Sequence, residues 1–335
     1  MGSRTSHAPR HSSLGYRRNR ASRITPAPRA WPEYNGAPKL LGFLGIKAGM
    51  SHCVYIEDRP RSHLANREVT VPVTVVETPP IAVFGLRGYV KTPYGLKIAA
   101  DIQTLETKEE LSRRLKPPKE YDFDKAKENF EAKLPEMEEI RAIVHTQPYL
   151  TGIGTKIPQV AEIKIGCNSI KEGYEYGMSL LGKEVLIRDV FRAGEFIDSI
   201  GVTKGKGFQG PVKRHGIKIL QHKSKHTKRG VGSIGPWHPA RTMWTVPRHG
   251  QMGFHIRTEY NKRIMQIGSD GSQIVPDGGF VKYGLVKNNY VVLRGSIPGG
   301  KKRTVMLRKP MRKAPQAIKE PQIAYISTRS QQGNR

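Results

Sequence analysis

From Ser199 to Thr258 the chain runs for sixty residues without one Asp or Glu, while carrying twelve Lys or Arg and six of its eleven His. With 28 acids in 335 residues, a stretch of that length would hold about five at the chain's average frequency. Phe208, Trp237, Trp244 and Phe254 are interleaved with Lys204, Lys206, Lys213, Arg214, Lys223, Lys225, Lys228, Arg229, Arg241 and Arg248. Cations neutralise phosphates, and aromatic planes stack on unpaired bases at about 1–3 kcal/mol each. That combination suits folded RNA, whose loops and bulges present unstacked bases. The alternative for Trp237 and Trp244 is ordinary core packing, which their Pro, His and Arg neighbours disfavour.

Two glycine motifs suggest other chemistry and fail on context. Gly205 to Gly210 fits G-x-G-x-x-G, but Pro211 and then a basic run follow it where a pyrophosphate-binding unit opens an amphipathic helix. Gly295 to Lys301 resembles the start of a P-loop. Lys302 stands where a magnesium-holding Ser or Thr belongs, and a strand-like segment follows, so the segment reads as a basic hairpin turn, with Lys301, Lys302 and Arg303 as candidate RNA contacts. No H-E-x-x-H occurs, the six His have no nearby acid to complete a metal site, and no Ser, His and Asp arrangement stands out. The sequence therefore reads as non-enzymatic, with no cofactor and no metal.

The elements that must carry this stretch follow from composition. The 57 Lys and Arg against 28 acids leave a net charge of +29, which a compact chain tolerates best when a polyanion neutralises it. Residues 1–40 hold eight Lys or Arg, among them Arg17, Arg18, Arg20 and Arg23, against Glu33 alone, and read as an extended basic RNA-binding arm. No stretch reaches the roughly 20 apolar residues of a membrane span, and no secretory signal opens the chain. Cys53 and Cys167, far apart, read as core thiols.

From Leu40 onward short β-rich runs appear at 52–57, 69–77, 81–90, 159–165, 184–190, 196–202, 263–267, 279–286, 290–293 and 304–307. Residues 101–141 carry 12 of the 28 acids. There Leu105, Leu111 and Leu115 suggest one helix and 122–134 a second, in an acidic helical insert (about 101–145) read as a solvated face. A further helix is expected over 169–181. The expectation is a mainly β fold with α+β insertions: a β-barrel body over 41–310, a long irregular basic loop over about 203–258, and a basic tail over 311–335.

Several segments together resemble one family. VTKGKGFQGPVKRHG at Val202 to Gly216 is similar to the signature of the ribosomal protein L3 family, and LGFLGIKAGM (41–50), VPVTVVETPP (71–80), GSIG (232–235), GQMG (250–253) and LRGSIPGGKKR (293–303) agree in order. WHPARTMW at Trp237 to Trp244 resembles the archaeal and eukaryotic branch, and the short region after Arg312 suggests an archaeal source. The resemblance implies a barrel of the translation-protein type and a loop that penetrates large-subunit rRNA toward the peptidyl transferase centre. Trp237 would sit at the loop tip on the A-site side, flanked by His238 and Arg241, with His249 and Gln251 among the further contacts. It also implies an early assembly role, neighbouring ribosomal proteins as partners, one copy per ribosome and a cytoplasmic location. The rival readings are a sequence-tolerant nucleic-acid packaging protein, supported by charge, and a nucleotide-dependent enzyme, supported by the two glycine motifs.

Overall fold

In the computed structural model, residues 19–104, 108–116, 118, 120–312, 314 and 318–333 are described, apart from the side chains of 225–227. Arg17 and Arg18 lie outside them, and the side chain of Lys225 is likewise not described. The chain divides into two compact units. One comprises Lys204–His255 with the residues preceding Arg23, and the other holds the remainder.

The larger unit is mainly β. Its strands are β1 (Lys39–Leu40), β2 (Gly42–Ile56), β3 (Glu68–Glu77), β4 (Ile81–Thr92), β5 (Gly95–Gln103), β6 (Glu139–His145), β7 (Val160–Gly166), β8 (Glu184–Val185) and β9 (Phe196–Val202). The smaller unit contributes β10 (Phe208–Gln209) and β11 (Gly250–Gln251); β12 (Ile256–Gly268), β13 (Tyr290–Arg294), β14 (Thr304–Arg308) and β15 (Ile323–Ile326) complete the set. The helices are α1 (Phe123–Lys133), α2 (Ile170–Leu180), α3 (Ile187–Val190) and, in the smaller unit, α4 (Pro211–His215).

Seven strands form one antiparallel sheet in the order β14-β9-β12-β13-β3-β2-β15. Because β14 also pairs with β2, from Thr304↔Ile46 to Arg308↔Gly42, six of the strands pair in a ring. β2 can serve three neighbours because it is long and shifts register between Lys47 and Gly49. Its first half pairs with β14 and its second half with β15, while β3 takes the other edge. Successive side chains of a strand point to opposite faces. Along β13, Val291 and Leu293 accordingly enter one hydrophobic cluster, and Tyr290 and Val292 enter another. This two-sided burial explains why β9 and β14 are buried along their whole length.

The second sheet, β1-β7-β6-β4-β5 with β8 on β4, carries a charge ladder across neighbouring strands. Arg87 of β4 meets Asp101 of β5 and Glu162 of β7, each at 2.6 Å, and Glu139 of β6 meets Arg141 and Lys164, each at 2.8 Å. Opposite charges facing each other across strands stabilise a sheet by about 0.2–1 kcal/mol per pair.

Several expectations need correction. The acidic segment is not helical throughout: β5 and β6 take its two ends, and Asp101 and Glu139 are spent on the ladder. Around Leu111 only a short 3-10 turn forms, with Leu111 buried and Leu115 exposed; Leu105 lies outside the described residues. The 184–190 run divides into β8 and α3. Residues 279–286 form turns with one bridge, Phe280↔Gly284. Residues 295–303 are no hairpin, since β13 and β14 do not pair with each other but with strands on different sides of the ring. The arm is anchored where the composition promised no core: Trp31 is buried in the main cluster, and Arg308 donates to the Ala30 carbonyl. The tail region contributes β15 to the sheet.

At the end of β2, Glu57 is 1% exposed and accepts hydrogen bonds from Arg59 Nε (2.9 Å), Arg59 Nη2 (2.7 Å) and Tyr55 Oη (2.7 Å). The Arg59 hydrogen bonds outweigh burial and hold its carboxyl at about 2. A depressed carboxylate stabilises the fold above its unfolded value and loses that stabilisation as pH falls through the folded value. Glu57→Gln is therefore expected to lower the urea midpoint at pH 7 and to flatten its fall between about pH 4.5 and pH 2. Parallel acid limbs for both proteins would contradict the assignment.

Candidate nucleic-acid interface

The basic segment leaves the sheet at the end of β9 and returns at the start of β12. Those ends are paired neighbours, Ile256 with Val202 and Arg257 with Gly201. The excursion is thus a closed loop whose roots are fixed by strand register.

Within the smaller unit, regular structure is confined to the base. β10 pairs with β11, Phe208 opposite Gln251 and Gln209 opposite Gly250. Lys206 N donates to Met252 O and Met252 N to Gly207 O, both at 2.9 Å. Ala21 N donates to Phe254 O at 2.7 Å, joining the preceding arm to the same unit. Gly253 has φ +70, and a Cβ there would lie 2.0 Å from Lys204 O, so this crossing requires glycine. The one-turn helix α4 follows Gly210, although no amphipathic helix was expected there; it ends on Gly216 at φ +70.

Beyond the base, burial is sparse. Trp237 is 88% exposed and Trp244 91%, which rejects core packing for both. Lys204, Lys206, Lys213, Arg214, Lys223, Lys228, Arg229, His238, Arg241 and Arg248 are also exposed. The unit's long segment contains no acid, so these charges repel one another until an outside anion arrives. His249 is half-buried, its ring 5.3 Å from that of Phe208. Gln251 is buried, and its amide donates to Gly253 O at 3.2 Å within the unit. Lys218, His215 and Thr242 are exposed on this unit without having been singled out by sequence reading. The nearness of His215 and Thr242 to Arg214 and Arg248 depends on the loop's path, which no residue pattern encodes.

The remaining candidates are divided: Arg20 belongs to the smaller unit and Arg23, Lys301, Lys302 and Arg303 to the larger. Arg20 and Arg23 are exposed. In the larger unit, Lys301 Nζ donates to Val281 O at 2.7 Å and Arg303 Nη1 to Thr203 O at 3.1 Å, so both brace backbone. Lys302 is exposed at φ +69. Among the described residues no group of three or more His, Cys, Asp or Glu is placed to hold a metal ion, and no helix is long and apolar enough to cross a membrane.

Comparison with known proteins decides the family. The family described as Ribosomal protein L3 matches residues 1–333. The chain belongs to the ribosomal protein L3 family. It is 48% identical over 333 residues to the Large ribosomal subunit protein uL3 of Methanosphaera stadtmanae, covering 98% of each chain. It is 46% identical to that of Methanothermobacter thermautotrophicus, again over 98% of each, and 48% identical to that of Methanococcus aeolicus, over 97% of this chain and 98% of the relative. This L3-family chain therefore has archaeal relatives along nearly its whole length. The segment after Gly300 leads into strand β14, not into the helix a P-loop needs.

Proposed function

We propose that the unit built from Lys204–His255 is the surface through which this chain, a non-catalytic structural protein of the large ribosomal subunit, holds large-subunit rRNA. The observation that carries the reading is the pairing of two almost fully exposed tryptophans with exposed Lys and Arg on a segment that has no acid. Exposed indoles are costly to leave in water, and their best partners beside so many cations are unpaired bases. Arg20, Arg23 and Lys302 extend the same surface chemistry, with Arg17, Arg18 and Lys225 as further contacts.

The ring of six strands is read as a translation-protein-type β-barrel, with the arm (1–40) and the loop (about 203–258) as its RNA-binding extensions. In the assembled particle the barrel anchors outside while the loop reaches toward the peptidyl transferase centre, with Trp237 at its tip. One copy per ribosome, early entry into assembly, contacts with neighbouring ribosomal proteins and a cytoplasmic location complete the reading.

Competition at fixed salt between large-subunit rRNA fragments and bulk duplex DNA tests it. The full-length chain is expected to prefer the rRNA, and Trp237→Ala to weaken that binding on the order of 10-fold. The same variant should change unfolding free energy by no more than about 0.5 kcal/mol, as for an exposed side chain. Equal affinity for duplex DNA would instead favour the packaging reading.

A further inference from the structure

Beside Trp244 the smaller unit contains a hollow of about 610 Å³ lined by Arg214, His215, Thr242, Met243, Trp244 and Arg248. That volume falls within the roughly 300–1,000 Å³ of small-molecule sites. We propose that it receives a single unstacked nucleotide of large-subunit rRNA, the base lying on Trp244 and the phosphate between Arg214 and Arg248. The proposal rests on the reading of this unit as the rRNA interface and names what one part of it grips.

Three features of the hollow point to one nucleotide. First, Trp244 and Thr245 are the central residues of a turn closed by Val246 N donating to Met243 O at 3.3 Å. The turn pushes the indole out to 91% exposure at the edge of the hollow, with the polarizable thioether of Met243 also lining it. Second, both guanidiniums are oriented by neutral acceptors. Arg214 Nη1 donates to Arg248 O at 2.9 Å, and Arg248 Nη2 donates to Thr242 Oγ1 at 3.1 Å. Each guanidinium has five donors, so fixing it in this way leaves most of them and all of its charge for an incoming anion. Third, the absence of a side chain at Gly250 lets Arg214 lie against the backbone, since a Cβ there would fall 2.9 Å from its guanidinium carbon. Any larger residue at 250 would push the guanidinium away from that place.

A second hollow of about 390 Å³, lined by Arg229, Ile234 and His249, also borders Arg248. One phosphate at Arg248 can therefore join a base on the Trp244 side to backbone that continues on the other. A duplex offers no free base face to Trp244, whereas a bulged or looped strand does.

The test is chemical probing of large-subunit rRNA bound at saturation by the full-length chain, using reagents that report nucleotide mobility at the 2′-hydroxyl. Trp244→Ala is expected to alter reactivity several-fold at one or two nucleotides, and Trp244→Phe, which keeps an aromatic plane, to restore it. Bound rRNA with an unchanged pattern in Trp244→Ala overturns the pocket and leaves the interface reading standing. A broad change shared by Trp244→Ala and Trp244→Phe also overturns it, because Trp244 would then hold the loop and not a base. A wild-type chain with no preference for rRNA over duplex DNA overturns both readings.

Discussion

Asp198→Ala is expected to lower unfolding free energy by about 3–5 kcal/mol, seen as a large fall in the urea midpoint followed by circular dichroism. Asp198 is fully buried in β9 and meets Arg308 Nη2 at 2.6 Å, Arg308 itself being 4% exposed. Its other oxygen accepts Asn261 N at 3.1 Å, where β12 shifts register between Glu259 and Lys262 and Asn261 takes φ +53. Met311 N adds a third hydrogen bond at 3.0 Å. Removing the carboxylate takes the counter-charge from a buried guanidinium and an acceptor from two backbone donors. A double variant, Asp198→Leu with Arg308→Met, removes the stranded charge and should recover much of the loss, since apolar replacement of a whole buried pair is often neutral. Recovery is incomplete because the Asp198 carboxylate no longer accepts from the amides of Asn261 and Met311. A single variant within about 0.5 kcal/mol of wild type would show that the pair contributes nothing.

The same pair shows what a reader of residues alone can and cannot extract. The run Phe196–Val202 announces β9, and its β-branched and aromatic content matches the observed bounds. Nothing in that run says that Asp198, a charge amid apolar neighbours, finds Arg308 across the β9–β14 pairing, because the partner is 110 residues away. Strands β5 and β6 were hidden for the opposite reason. Glu139-Ile140-Arg141-Ala142 alternates charge with apolar residues, and its two charges pair with each other and with Lys164 and Glu162 of β7. Read locally, those charges look like a solvated helix. Trp31 was obscured by its Pro-rich surroundings, which suit a chain pinned by a core that other segments build. In the basic segment, residue types alone suggested cations and stacking planes, and Trp237 and Trp244 are exposed there. The hollow at Trp244 was not legible, because it depends on a turn at Met243–Val246 and on one glycine 36 residues after Arg214.

Replacing Lys204, Lys206, Lys213, Lys223, Arg229 and Arg241 together by glutamine should reduce the salt dependence of rRNA binding more than any single change. Each phosphate contact releases condensed counterions, and log affinity falls with log salt at about 0.7–0.9 per contact. If these six exposed cations each meet a phosphate, the slope should fall by about 4–5. Affinity at low salt should drop by several orders of magnitude, and the difference between wild type and variant should shrink as salt rises. The fold should respond in the opposite sense. The unit has no acid in its long segment to lose as a partner, so removing six like charges relieves repulsion, and the melting temperature should stay level or rise. A variant that binds poorly because it is unfolded would melt lower and would show no preserved slope. A variant with wild-type slope and wild-type melting would instead move the phosphate contacts to the arm and the larger unit. The two readouts thus separate electrostatic recognition from structural support, because the cations that would hold RNA are the ones that strain the free chain.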